Sequence, residues 1–349
     1  MQLQDSKKYD MNSRRQFLKS SVIAGIGVTT SSIQASCDPS GNKQDKDFKI
    51  GIIGLDTSHS PAFAKYINDP DKESMQGMRV SAAYPLGSTR IESSAERIPE
   101  YTEQFRSMGI KIENDLDALI EQSDGILLET NDGTMHLEQA LTVIEAGKPL
   151  FIDKPVAAGL ADVIEIYETA KKNKVPVFSS SSLRYLKKAQ DVRKKKVIGD
   201  IKGANTYSPE KIEPSHTDLF WYGIHGVEIL YTLMGTGCQS LKRITTESTD
   251  FVIGKWDDGR IGTFRGDLSG LQQYGGTAFG TEGVMEVGPF DGYGALIEEI
   301  IKFFRTGKSP IPDSETLELY TFMEAADVSK SRNGVWVDLN EVYEKARKN

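Results

Sequence analysis

The sequence predicts an α/β protein of two domains: a doubly wound parallel sheet, then an α+β domain with a mostly antiparallel, open sheet. Three observations predict it. Between Phe48 and Ser179, short apolar strand patterns alternate with helical ones at βαβ spacing. From about Ser180 the pattern changes to strands in succession, with two long helices near the end. The 349 residues are enough to build both domains.

Residues 1–36 are set aside as a targeting segment. Ser13-Arg14-Arg15-Gln16-Phe17-Leu18-Lys19 is a full twin-arginine match, and a weakly apolar stretch, Ser21 to Thr29, follows it. This predicts export to the periplasm or envelope. Ile33-Gln34-Ala35-Ser36-Cys37 is similar to a lipoprotein cleavage box, with Gln34 where such boxes carry Leu, so a lipid anchor at Cys37 is left open. Residues 37–47 are a polar linker. The only other cysteine is Cys238, so an acylated Cys37 leaves no disulfide within the chain. The net charge is −8, and the targeting segment is its basic part. That argues against nucleic acid as a partner, because phosphate binding needs a basic face. No apolar run is long enough to span a membrane.

The first domain is read over residues 48–180. Phe48 to Gly54 is an apolar strand ending in Gly. Ser60-Pro61 predicts a helix start, with Ser as the cap and Pro at the first helical position. That helix runs to Ile67. Strands follow at Met78–Tyr84, Ile110–Ile112, Gly125–Glu129, Leu150–Ile152 and Val175–Ser179. Helices lie between them at Leu116–Gln122, Met135–Ala146 and Asp162–Lys172, and Asn114-Asp115 caps the first of these.

The second domain is read over residues 181–349. Leu186–Lys195 is a helix. Strands with period-two alternation follow at Lys202–Tyr207, Leu241–Thr246, Asp250–Trp256, Ile261–Asp267, Gly275–Gly280 and Gly283–Val287. Asp257-Asp258-Gly259 is a hairpin turn signal. Gly294–Thr306 and Ser314–Lys330 are helices. The stretch from His216 to Met234 reads as one helix capped by Gly235. On it His225 and Glu228 share a face, with Trp221 one turn earlier. A sheet with one open face also predicts a homo-oligomer.

Chemistry is expected where Leu150-Phe151-Ile152 runs out into Asp153-Lys154-Pro155, because ligands of open α/β sheets bind outside the carboxyl ends of the strands. Lys154 is read as a proton donor or acceptor facing a cleft. Asn131, Asp132 and His136 follow the strand Gly125–Glu129 and reach the same edge. A dinucleotide would sit after the first strand, where the backbone must approach a pyrophosphate. There the chain reads Gly54-Leu55-Asp56-Thr57-Ser58-His59, so only the first glycine of the usual G-x-G-x-x-G is present. A carboxylate about 4 Å from a phosphate costs a few kcal/mol at an effective dielectric near 20. Asp56 must therefore turn away, or the cofactor binds differently, or it does not bind. Thr57, Ser58 and the helix start can still donate to an anion. The second strand ends without an acid for an adenosine ribose. Ser88 and Arg90 could instead meet the 2′-phosphate of NADP, and a plain turn fits the same residues.

Together the strand–glycine start, Asp153-Lys154-Pro155, Arg184-Tyr185 and the Gly223-x-His225-x-x-Glu228 helix resemble the Gfo/Idh/MocA oxidoreductase family, from roughly Phe48 to Asn349. The resemblance implies a Rossmann domain that binds NAD or NADP and a C-terminal domain that covers a sugar or cyclitol. It implies that Lys154 exchanges a proton with the reacting hydroxyl, with His225 beside it. It places Glu228, Arg184 and His136 around the substrate, and Asp153 with the cofactor loops. Two departures stand out: the lost glycines, and Trp221 where the family often has Asp. An aromatic ring there suits stacking on a sugar.

The expected function is that of an exported NAD(P)-dependent oxidoreductase acting on a carbohydrate hydroxyl. For Lys154 to accept a proton near neutrality its pKa must fall, through burial or neighbouring charge. Free dinucleotide is scarce outside the cytoplasm, which favours a tightly held cofactor and redox-neutral chemistry such as epimerisation or redox-assisted glycoside cleavage. The rival reading is an envelope sugar-binding protein whose nucleotide site has decayed. Metal-dependent hydrolysis would draw on His136, His225 and Asp218, but no familiar metal-ligand spacing is present and no metal is predicted.

Overall fold

A computed structural model describes residues 47–348; the twin-arginine match and Cys37 lie outside them. The first sheet comprises β1 (Phe48–Ile53), β2 (Met78–Tyr84), β3 (Lys111–Ile112), β4 (Gly125–Leu128), β5 (Leu150–Ile152) and β6 (Val177–Ser179). It is parallel throughout, in the order β3-β2-β1-β4-β5-β6. Its central strands are buried on both faces, with β4 and β5 buried at every position. The helices that cover it are α1 (His59–Ile67), α2 (Glu92–Ala95), α3 (Arg97–Ser107), α4 (Leu116–Gln122), α5 (His136–Glu145) and α6 (Leu160–Asn173). The order turns outward between β1 and β4, so the loops after these strands flank the crevice where open α/β sheets bind ligands.

Local chemistry explains most boundaries. Asp115 caps α4 by accepting from Ala118 N at 3.2 Å, as its sequence suggests. The start of α1 differs from expectation. Ser58, not Ser60, precedes the helix, and Ser60 Oγ donates to Gly54 O at 2.9 Å, tying the first turn back to β1. Gly54 has φ +90, and a Cβ there would lie 2.5 Å from the Thr130 backbone. Only glycine lets β1 leave the sheet this close to the loop after β4.

The second half contains α7 (Lys187–Lys195), β7 (Ile201–Pro209), α8 (Asp218–Trp221), α9 (Ile224–Met234), β8 (Cys238–Thr245), β9 (Thr249–Trp256), β10 (Ile261–Asp267), β11 (Gly275–Gly280), β12 (Val284–Val287), α10 (Gly294–Thr306), α11 (Asp313–Ser331), β13 (Val337–Asp338) and α12 (Leu339–Ala346). Its seven strands run β12-β11-β7-β10-β9-β8-β13, antiparallel except where β7 meets β10. The buried helix α9 packs on one face, and Gly226 brings it against the sheet: a Cβ there would lie 2.4 Å from the Phe264 ring. The single helix expected from His216 to Met234 is instead two, broken at Tyr222-Gly223, where glycine lowers helix propensity. The chain then returns to the first sheet. α10 buries Leu296, Ile297, Ile300, Ile301, Phe303 and Phe304 in the same apolar cluster as Ile50, Phe63 and Phe151. Among the described residues, no helix is long and apolar enough to cross a membrane.

Candidate active site

The loops after β1, β4 and β5 meet α8 and α9 around a cavity of about 360 Å³, within the range of small-molecule sites. Lys154 and His225 both line it. Lys154 is 9% exposed. Its Nζ lies 5.9 Å from the Trp221 ring centre and 5.7 Å from that of Tyr222. Among the described residues the ammonium has no hydrogen-bond or ion-pair partner, so its donors face the cavity. His225 stands edge-on to Tyr222 and Tyr274, at 5.9 and 5.4 Å between ring centres. Its Nδ1 is 2.7 Å from Ser181 Oγ. Leu183 N donates to that same hydroxyl, which leaves the serine proton for Nδ1 and the imidazole proton for Nε2. Burial first, then the charges of Lys154 and His59, hold His225 well below the usual histidine range. It is therefore a neutral hydrogen-bonding group near neutral pH.

The loop after β1 resolves what its sequence left open. Asp56 is fully buried and turned away from the cavity. Its carboxylate accepts from Ser88 N at 2.9 Å and Asn131 N at 3.0 Å, stitching the loops after β1, β2 and β4 together. Ser88 and Arg90 serve a different partner than a 2′-phosphate. Ser88 Oγ and Arg90 Nη2 donate to Asp132 Oδ2 at 2.7 and 2.9 Å. Burial would raise the pKa of Asp132, but hydrogen bonds from Thr134, Ser88 and Arg90 outweigh it and hold it at about 2.

The remaining wall fits a dinucleotide's phosphates. Thr57, Ser58 and the start of α1 line the cavity, and the unsatisfied amides of a helix start favour anions. Arg97, Lys154 and Lys211 also line it, and among the described residues no carboxylate does. Thr57, Ser58, the start of α1 and Arg97 would hold the pyrophosphate of a bound NAD(P), which leaves Lys154 to the reacting end. No acid stands where an adenosine ribose is usually held.

Residues 48–181 match the family described as the Gfo/Idh/MocA oxidoreductases, with an NAD-binding Rossmann fold. This first domain is thus an NAD-binding Rossmann domain of the Gfo/Idh/MocA type. The chain is similar to an uncharacterized oxidoreductase of Streptococcus pneumoniae, 24% identical over 204 residues, which are 54% of this chain and 50% of that protein. It thus spans half the length of the curated relative it matches. Two of the solved structures that share its fold illustrate the likeness. One is a probable dehydrogenase from Thermotoga maritima, at TM-score 0.68 and 19% identity, covering 84% of this chain and 100% of that one. The other is scyllo-inositol dehydrogenase from Lactobacillus casei with bound NAD(H) and scyllo-inositol, at TM-score 0.67 and 15% identity, covering 84% and 100%.

The expected site residues separate into three groups, with Asp153 apart. Lys154, His225, Trp221, Thr57, Ser58, His59 and Asn131 line the cavity. Gly54, Asp56, Ser88, Arg90 and Asp132 shape the loops behind it. The last three expected on the substrate do not line it. His136 is fully buried and joins two loops through Thr130 O and Val156 O, at 2.5 and 3.2 Å. Arg184 and Glu228 form a buried ion pair, with Arg184 Nη1 2.6 Å from Glu315 Oε1 and Ser180 Oγ 3.0 Å from Glu228 Oε1. These two brace the base of α9 under His225 because a buried charge needs a partner. Asp153, expected beside the cofactor, is held by His59 Nδ1 at 2.6 Å.

Sequence reasoning missed Tyr222, Tyr274, Ser181, Lys211 and Arg97. The run Ser180-Ser181-Ser182, at the carboxyl end of the last parallel strand, was the available signal for Ser181. It also passed over Glu129, taken as the end of an apolar strand. Glu129 is fully buried, and neither carboxyl oxygen has a partner among the described residues. Burial and the neighbouring Asp153 push it well above the usual carboxyl range. A single Glu closing Gly125-Ile126-Leu127-Leu128 was its mark in the sequence.

Proposed function

We propose that this protein is, along its whole length, an exported NAD(P)-dependent oxidoreductase of the Gfo/Idh/MocA type acting on a hydroxyl of a sugar, cyclitol or glycoside. The observation that carries the reaction is the unpaired Lys154 ammonium sharing one aromatic-walled cavity with a neutral His225. The bound dinucleotide supplies hydride acceptance. Lys154 exchanges the proton of the reacting hydroxyl. His225 donates from Nε2 to the same oxygen and is oriented by Ser181. Trp221 and Tyr222 offer ring faces to a sugar, and His216 backs Trp221 at 4.9 Å between ring centres. His216 is itself fixed by Gly133 N, which donates to its Nε2 at 3.0 Å. The cyclitol bound in the Lactobacillus casei neighbour supports a polyhydroxylated ring as the guest. The twin-arginine match supports export, and export supports a cofactor retained through redox-neutral turnover.

Native mass spectrometry of protein purified from its own envelope fraction tests this reading, with a co-purifying dinucleotide expected. Lys154→Ala should lower turnover by about 10²-fold or more and leave the fold intact. Protein that carries no dinucleotide, takes none up and still binds sugar would instead be the binding protein that the missing fingerprint glycines and the absent ribose acid point to. A signal-peptide reporter fusion that stays in the cytoplasm would remove the export part.

A further inference from the structure

Beneath the cavity floor lies a second set of groups that the proposed reaction does not use. His59, Glu129 and Asp153 come from the loops after β1, β4 and β5, and one ligand atom of each lies within 4.8 Å of the others. Asp153 is 4% exposed and Glu129 fully buried. His59 Nδ1 and Asp153 Oδ2 are 2.6 Å apart. Among the described residues, both oxygens of Glu129 lack any hydrogen-bond partner. A buried carboxylate without a partner is costly, and a neutral carboxylic acid would still leave its O–H and its carbonyl oxygen unmet. The charge balance points the same way. Two other buried carboxyls, Asp153 and Asp56, act on Glu129, and the cation acting on it is Lys154.

We infer that His59, Glu129 and Asp153 form a binding site for a divalent first-row metal ion. One imidazole and two carboxylates suit zinc, manganese or ferrous iron. Bonds of about 2.0–2.2 Å place neighbouring ligand atoms roughly 3–3.5 Å apart. The cluster reaches that spacing by small side-chain shifts, with the His59–Asp153 pair opening slightly and Glu129 closing in. Three protein ligands leave a position for water or for a molecule in the cavity, which His59 also lines. The site uses His59 where the dinucleotide fingerprint has its third glycine, and Glu129 at the end of an otherwise apolar strand.

The inference is separable from the proposed reaction, because metal binding is read without substrate or dinucleotide. The full chain, stripped with a chelator, is dialysed against Zn²⁺ and separately against Mn²⁺. Bound metal is counted by elemental mass spectrometry and the thermal midpoint is recorded. One equivalent per chain is expected, with a midpoint that rises with metal concentration. Glu129→Gln keeps the shape of the side chain and removes its charge, and should weaken binding by at least about 100-fold. His59→Gln, at a partly exposed position, gives the same loss if the first variant fails to fold. Cobalt provides an optical readout: visible ligand-field bands in the native protein, absent from both variants. Failure to take up stoichiometric metal, or one equivalent retained by both folded variants, overturns the inference.

Discussion

Lys154 and His225 show what one residue's surroundings decide. Lys154 was legible because its cue is local: a short buried strand, then Asp-Lys-Pro at the sheet edge. The neutrality of His225 was not legible, because it comes from burial and from Lys154 and His59, brought in by distant loops. That neutrality has a testable sign. The unfolded chain takes up a proton on this ring near 6.5, and the folded chain resists it. His225 therefore costs stability as pH falls through about 6.5. His225→Gln should narrow the difference in thermal midpoint between pH 7 and pH 5, measured by differential scanning calorimetry, while slowing turnover. Gly54 is a second case. An added methyl meets the Thr130 backbone at 2.5 Å with φ at +90, so Gly54→Ala should destabilise by about 2 kcal/mol or more in chemical denaturation.

Elements were read well where one signal dominates. Leu116–Gln122, Leu150–Ile152, Ile261–Asp267, Gly275–Gly280 and Gly294–Thr306 fall where their patterns place them. The segment between β7 and α9 was read poorly, because contacts across the sheet hold it rather than periodicity. Arg243 on β8 is its hub. The guanidinium is buried and reaches Glu210, Asp218, Asp250 and Asp327, at 3.0, 3.0, 2.5 and 2.5 Å. This ties down both ends of the stretch from Glu210 to Asp218, which carries Lys211 to the cavity and leads into Trp221. Burial is the main cause that pushes Glu210 up to about 9, against the pull of Arg243. The sign follows from the raised value. The stability Glu210 contributes is full below about 4.5 and is lost as pH rises through about 9. Glu210→Gln should therefore flatten the fall in thermal midpoint between pH 7 and pH 9.5.

At the scale of the whole molecule, one apolar cluster running from Ile53, Leu128 and Ile152 to Leu241, Val252 and Phe264 joins the two sheets into one body, and α10 returns the chain to the first sheet. Phe304 is 5% exposed and packs at 5.5 Å from Phe48 and 5.3 Å from Phe303, ring centre to ring centre. Phe304→Ala should cost about 3–5 kcal/mol. All three tryptophans lie after residue 220, in the other half of the chain. A lower midpoint by tryptophan fluorescence would thus show that damage under the first sheet unfolds the second. An unchanged fluorescence midpoint, with early loss of the first sheet, would show two independent halves. By itself the sequence determined the alternation of strands and helices, the switch to an antiparallel sheet, and the Lys-Pro corner. Each is written in neighbouring residues, through side-chain period and turn chemistry. Only the tertiary structure decided that Asp56 turns inward, that Arg184, Glu228 and His136 brace the site from behind, and that Glu129 faces Asp153 and His59. Those outcomes depend on which loops the strand order sets side by side, and on how far burial raises the cost of an unpaired charge.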